Sequence, residues 1–146
     1  MATAPIALTG ATGRIGGRVA DRLATKGVPL RLLVRDPDRA PDLPGATPVV
    51  APFADGDAVR AALEGVETAF MVSASEAADR AQQHVTFVEA AVAAGVRHLV
   101  YLSFQGASPE LTFTFARDHA VTEEAIRASG MAWTFLRDSF YADFMP

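Results

Sequence analysis

One turn near the N-terminus constrains this chain more than any other feature. Residues Thr9-Gly10-Ala11-Thr12-Gly13-Arg14-Ile15-Gly16 set three glycines at G-x-x-G-x-x-G spacing, after the apolar run Pro5-Ile6-Ala7-Leu8 and before a segment of helical periodicity. A strand that turns sharply into a helix leaves the first helical N–H groups unpaired at the positive end of the helix dipole, and small side chains let an anion reach them. Gly10 permits the turn, Gly13 lets a pyrophosphate approach the backbone, and Gly16 lets the helix pack closely on its strand. The triplet alone is a weak signal; the strand before it and the βα pattern after it supply the required context. Gly10, Thr12, Gly13, Arg14, Ile15 and Gly16 are therefore expected to contact a nucleotide.

The rest of the chain alternates short apolar runs with helical stretches. Strands are expected at residues 6–9, 30–34, 47–51, 68–72, 99–103 and 133–137, and helices at 15–25, 57–63, 77–94 and 116–128. All the strands except the third are near-continuous apolar runs, as for strands covered on both faces. Gly27, Gly65, Gly95 and Gly130 follow the helices as exits. A loop at residues 36–45, with Pro37, Pro41 and Pro44, shortens or replaces a second crossover helix. Alternating strands and helices imply right-handed βαβ units and a parallel sheet. The expected fold is an α/β, doubly wound Rossmann-type sheet of order 3-2-1-4-5-6. It forms one NAD(P)-binding domain over residues 1–146, with no separate substrate domain.

Composition narrows the functions available. The 146 residues carry a net charge of −4 and no basic block, which argues against direct nucleic-acid binding. Zero cysteines remove disulfides and thiolate chemistry. No apolar run approaches the ~20 residues of a membrane span, and no leader pattern precedes the glycine turn, so a cytoplasmic protein without membrane contact is expected. No His-x-x-x-His or similar spacing supports a metal site.

Arg35 ends the second expected strand, where a dinucleotide fold meets the adenosine ribose. An acidic residue there accepts from a free 2′-OH, whereas an arginine favours a 2′-phosphate. Asp36 is adjacent, but Pro37 holds it extended and turned to solvent. Arg39 adds a second positive charge, and Arg14 reaches toward the same phosphate. NADP(H) is favoured over NAD(H), against the plainer reading of a solvated arginine in a polar loop.

Four segments carry a family likeness: the glycine turn, Leu33-Val34-Arg35-Asp36-Pro37, Ala93-Ala94-Gly95-Val96-Arg97-His98-Leu99-Val100-Tyr101-Leu102-Ser103, and Ser129-Gly130-Met131-Ala132-Trp133-Thr134-Phe135-Leu136-Arg137. Over nearly its whole length the chain resembles the atypical short-chain dehydrogenase/reductase group, specifically the NmrA-like family that includes NADPH:quinone oxidoreductases. In conventional members a Ser and a Tyr-x-x-x-Lys transfer the proton. By that resemblance Ser103 occupies the Ser position, while the Tyr-x-x-x-Lys slot reads Phe115-Ala116-Arg117-Asp118-His119, so the usual pair is absent. A His here is similar to the quinone-reducing members, and Ser103 and His119 become the candidate catalytic residues. The resemblance also implies that Val72 and Ser73 line the cofactor. It implies an acidic residue after the third strand for the adenine amino group, and in Ala51-Pro52-Phe53-Ala54-Asp55 only Asp55, one turn later, is acidic.

His84 and His98 read as solvated or structural, and Val85, Val88 and Val92 as a core-facing helical stripe. Two functions follow: an oxidoreductase that uses NADPH to reduce quinone-like or small carbonyl acceptors, or a non-catalytic NADP(H)-binding, redox-sensing module. After the sixth strand the chain runs only from Asp138 to Pro146, ending in Tyr141-Ala142-Asp143-Phe144-Met145-Pro146. The chain is therefore expected either to be a fragment of a longer enzyme or to form a homo-oligomer through that strand edge.

Overall fold

A computed structural model describes residues 2–140, so residues 141–146, which follow the sixth strand, lie outside it. The elements run β1 (Ile6–Thr9), α1 (Arg14–Thr25), β2 (Leu30–Val34), a 3₁₀ turn (Pro37–Arg39), β3 (Ala46–Val50), α2 (Gly56–Ala62), β4 (Thr68–Val72), α3 (Arg80–Ala94), β5 (His98–Phe104), α4 (Thr114–Ala128) and β6 (Ala132–Asp138). All six strands are parallel, in the order β3-β2-β1-β4-β5-β6 expected from the sequence. The loop between β2 and β3 holds only the single 3₁₀ turn.

Alternation along the strands divides the core in two. Ala7, Leu33, Ala69, Met71, Leu99 and Tyr101 face the layer that includes Val59 of α2, Phe87 and Val88 of α3 and Ile126 of α4. Leu8, Leu30, Leu32, Val34 and Phe70 face Ala20 and Ala24 of α1. Leu8 and Leu32 are fully buried, which is why the central strands read as unbroken apolar runs. α3 ends with Gly95 at φ +85°, a left-handed position, with Val96 N–H donating to Ala91 O and Gly95 N–H to Val92 O.

Two expectations fail. β6 is not covered on both faces: beyond its pairing with β5 it forms the sheet edge among the described residues, and Trp133 and Leu136 are 44% and 46% exposed. The core stripe of α3 is also rotated from the one expected. Val92 is exposed and Val85 only half-buried, while His84, Phe87, Val88 and Ala91 form the buried i, i+3, i+4, i+7 face. α3 begins at Arg80 rather than residue 77, leaving residues 73–79 as an irregular segment at the carboxyl end of β4.

Candidate functional site

The strand order reverses between β1 and β4, and a groove opens at the carboxyl ends of the strands at that point. It encloses about 990 Å³, the upper range of small-ligand sites (roughly 300–1,000 Å³). The glycine turn forms its floor. Leu33 to Asp36 and Arg39 close one end, Ala51 to Ala54 form an apolar wall, and Val72 to Ala77 form the opposite wall.

The floor is built by close packing. Gly10 has φ +68°, and a Cβ there would lie 2.8 Å from Val72 Cβ. A Cβ on Gly16 would overlap the Gly10 carbonyl group outright. Thr9 locks β1 to β4 at this level: its hydroxyl donates to Val72 O (2.9 Å) and accepts from Val72 N–H (2.8 Å). α1 has no side-chain cap and no acid in its first turn. Its first-turn amides at Ile15 and Gly16 precede the Gly17 N–H bond to Gly13 O, so they are left for a ligand.

Every expected cofactor residue, namely Gly10, Thr12, Gly13, Arg14, Ile15, Gly16, Arg35, Arg39, Val72 and Ser73, lines this one groove. Arg35 and Arg39 are exposed, and neither makes an ion pair among the described residues. Asp36 is extended (φ −130°, ψ 110°), as Pro37 requires, and its carboxylate accepts from Asp38 N–H, which caps the 3₁₀ turn. Arg31 does not join Arg35 and Arg39 at the groove: its guanidinium donates to the Ala62 and Glu64 carbonyls at the end of α2 (both 2.7 Å). Asp55 does not line the groove. It is the N-cap of α2, accepting from Ala58 N–H at 3.0 Å, so it does not stand in for an adenine-binding acid.

Neither Ser103 nor His119 lines the groove. Ser103 is buried and donates to Glu123 Oε1 at 2.6 Å. Burial pushes the Glu123 carboxyl up, but hydrogen bonds from Arg137 and Ser103 outweigh it and hold the group below the usual carboxylate range. Arg137 donates to Glu123 through two nitrogens (3.0 and 2.7 Å) and so ties β6 to α4. His119 lies in a second buried network, stacked against Phe104 and beside Phe115.

That second network was not legible in the sequence. Arg80, 1% exposed, donates from Nε to Ala74 O (2.9 Å), pairs with Asp118 (3.4 Å), reaches His119 Nε2 (3.4 Å) and lies over the Phe115 ring (4.6 Å). His84 Nε2 accepts from Ala74 N–H at 2.9 Å. Its proton therefore sits on Nδ1 and donates to Thr122 Oγ1 (2.7 Å), whose own proton goes to Asp118 O. A guanidinium has no lone pair to offer, so His119 Nε2 is the acceptor and Nδ1–H donates to Tyr101 Oη at 2.6 Å. Burial raises the pKa of the Tyr101 hydroxyl.

Both imidazoles are thus neutral. Burial first, then the Arg80 charge and His119, lowers His84 to about 3; burial and Arg80, partly offset by Glu123, lower His119 to about 4. As pH falls below the ordinary value of 6.5, the unfolded chain binds protons that the folded chain refuses. Stability is therefore expected to fall below about pH 6.5, at up to about 1.4 kcal/mol per pH unit per histidine, until the folded values are reached. Urea midpoints measured from pH 7 to 4.5 check this, and a flat profile down to pH 5 would contradict it.

Comparison with known proteins agrees with this geometry. A family model described as NAD(P)H-binding matches residues 10–144. The chain is 38% identical over 143 residues to quinone oxidoreductase 2 of Escherichia coli, covering 94% of this chain and 49% of that protein. The crystal structure of an Escherichia coli NADPH-dependent quinone oxidoreductase with NADPH superposes with a TM-score of 0.85 at 37% identity, over 95% of this chain and 50% of that one. The Citrobacter triphenylmethane reductase complexed with NADP(H) gives a TM-score of 0.85 at 32% identity, over 95% and 51%. The chain thus spans about half the length of the curated relatives it matches.

Proposed function

The chain belongs to the NAD(P)H-binding family, and from that premise we propose that residues 1–146 form a single domain that binds NADP(H). We further propose that it is the nucleotide half of an oxidoreductase acting on quinone-like or other small carbonyl acceptors. The observation that carries the reading is the glycine floor at the point of strand reversal, with two arginines at one end, Arg35 and Arg39, that make no ion pair among the described residues. A Cβ at Gly10 would crowd Val72 and one at Gly16 would overlap the Gly10 carbonyl, so these two glycines hold the turn and the helix start tight against the sheet, where the first-turn amides face the groove. The Ile15 and Gly16 amides suit the oxygens of a pyrophosphate. Arg35 and Arg39 suit a 2′-phosphate, which is why NADP(H) is preferred to NAD(H). Ala51, Pro52 and Phe53 supply an apolar wall for a base. The similarity to proteins described as NADPH-dependent quinone oxidoreductase and triphenylmethane reductase supports the acceptor class.

When bound, a reduced nicotinamide supplies the hydride, and the protein's part is to hold and orient it. Among the described residues, no His, Lys or Tyr lines the groove. Ser103 and His119 are hydrogen-bonded to buried partners, Glu123 and Tyr101, which supports a positioning role for them. Such a site suits acceptors that take their protons from water, as quinones do. A non-catalytic NADP(H)-binding sensor is the second reading, since Phe115 and His119 stand where conventional members carry the Tyr and Lys of the proton-transfer pair.

Mixing the chain with NADPH and a small quinone, and following loss of the nicotinamide absorbance, tests both readings. Turnover supports the oxidoreductase. Saturable NADPH binding without turnover shows that residues 1–146 hold the nucleotide without carrying the reaction by themselves, and absence of binding overturns both.

A further inference from the structure

We propose that Arg80 and His84 are positioning residues for the nucleotide: they grip the Ala74 backbone on both sides, Arg80 at its C=O and His84 at its N–H, and so fix the groove wall formed by Ser73, Ala74 and Ser75. The inference rests on the NADP(H) reading above and adds to it the residues that shape one wall without touching the ligand.

β4 pairing ends at Val72, where Thr9 makes the last tie to β1. Beyond it, the first backbone-to-backbone bond is Arg80 N–H to Ala77 O. Ala74 lies between these points, on the groove, with no strand partner. Its N–H donates to His84 Nε2 and its C=O accepts from Arg80 Nε, each at 2.9 Å. A sheet ladder is replaced here by two side chains one turn apart on α3.

Those side chains are in turn fixed from α4. Thr122 accepts the His84 Nδ1 proton, while Asp118, His119 and the Phe115 ring surround the Arg80 guanidinium. His84 is fully buried and Arg80 is 1% exposed, so neither has water as an alternative partner. An arginine enclosed this completely, against a carbonyl, a carboxylate and a ring, has one available geometry. The wall therefore inherits the rigidity of the α3–α4 pair rather than that of a surface loop.

The test compares His84→Leu with His84→Gln, whose Oε1 falls where Nε2 sits and keeps the acceptor. NADPH affinity is read by calorimetric titration, Ala74 amide protection by hydrogen exchange, and folding by thermal unfolding. The Leu variant is expected to bind NADPH about tenfold more weakly with Ala74 exchanging faster, and the Gln variant to stay within about threefold of the unaltered chain. Ile126→Val, a buried change on α4 away from the clamp, is expected to lower the unfolding temperature and leave affinity unchanged, a separation that a merely structural role for His84 does not give. A folded Leu variant that binds NADPH within about twofold of the unaltered chain overturns the inference. Should that variant not fold, Thr122→Val takes its place: it removes the Nδ1 partner, and unchanged affinity and Ala74 protection would equally overturn it. An unaltered chain that binds no NADPH overturns the cofactor reading itself, whereas a change in Ala74 protection alone reports the clamp.

Discussion

Replacing Arg35 by alanine is expected to weaken NADPH binding by about 10- to 100-fold while leaving NADH affinity within about twofold. The two nucleotides differ only in the 2′-phosphate, so the ratio of their affinities isolates the groups that meet it. Arg35 follows directly on β2, lines the groove, and has no ion pair of its own to break among the described residues. Its neighbour Asp36 is not poised to compete, because its carboxylate is engaged by the Asp38 N–H. A charge-assisted hydrogen bond to phosphate contributes about 1.5–3 kcal/mol. Arg35 is exposed, which places the loss toward the lower part of the range. Arg39 lines the same end, so Arg35→Ala/Arg39→Ala together should abolish the preference for NADPH. Calorimetric titration of each variant with both nucleotides reads the effect; equal losses for NADPH and NADH would mean that Arg35 acts on something other than the 2′-phosphate.

Gly16→Ala is expected to be the most damaging single methyl group that can be added to the site. In an ordinary helix interior this change favours folding by nearly 1 kcal/mol. Here the new Cβ would overlap the Gly10 carbonyl, a backbone group that cannot swing aside. The start of α1 would have to move off β1, which should cost roughly 1–3 kcal/mol net of the propensity gain. In a chain of this size that lowers the melting temperature by several degrees, at roughly 2–4 °C per kcal/mol. The displaced helix start also carries the Ile15 and Gly16 amides, so NADPH affinity should fall together with stability. Gly56→Ala, at the first residue of α2, meets only the Thr86 methyl group at 3.2 Å and should change stability little. Thermal unfolding of the two variants, with and without NADPH, makes the comparison; a stabilised Gly16→Ala protein would show that the tight turn is not needed.

The fold was legible because its signals are local. Short apolar runs separated by helical stretches dictate strands covered on both faces, and that pattern with a glycine turn after the first strand leaves few topologies. The cofactor groove was legible for the same reason: Gly10 to Gly16 are contiguous, and Arg35 sits at a fixed place after the second strand. What stayed hidden depends on helix phase and on distant pairs. His84 falls on the buried face of α3 only because that face runs through Phe87, Val88 and Ala91 rather than through Val85 and Val92. Its partners Ala74 and Thr122 lie 10 and 38 residues away, and nothing local links them. Ser103 is a different case. Period-two alternation along β5 puts it on the same face as Leu99 and Tyr101, toward α4, so its burial could have been read directly. Asp55 likewise carried a readable signal, an aspartate immediately before a helix with the amide it caps three residues on.

The central claim is that one groove, at the reversal of strand order, is built for a phosphorylated dinucleotide. Titrating NADPH and then NADH into the unaltered chain tests it most directly. The account predicts one NADPH per chain, bound at least about tenfold more tightly than NADH. Absence of saturable binding, or equal affinity for the two nucleotides, would contradict it.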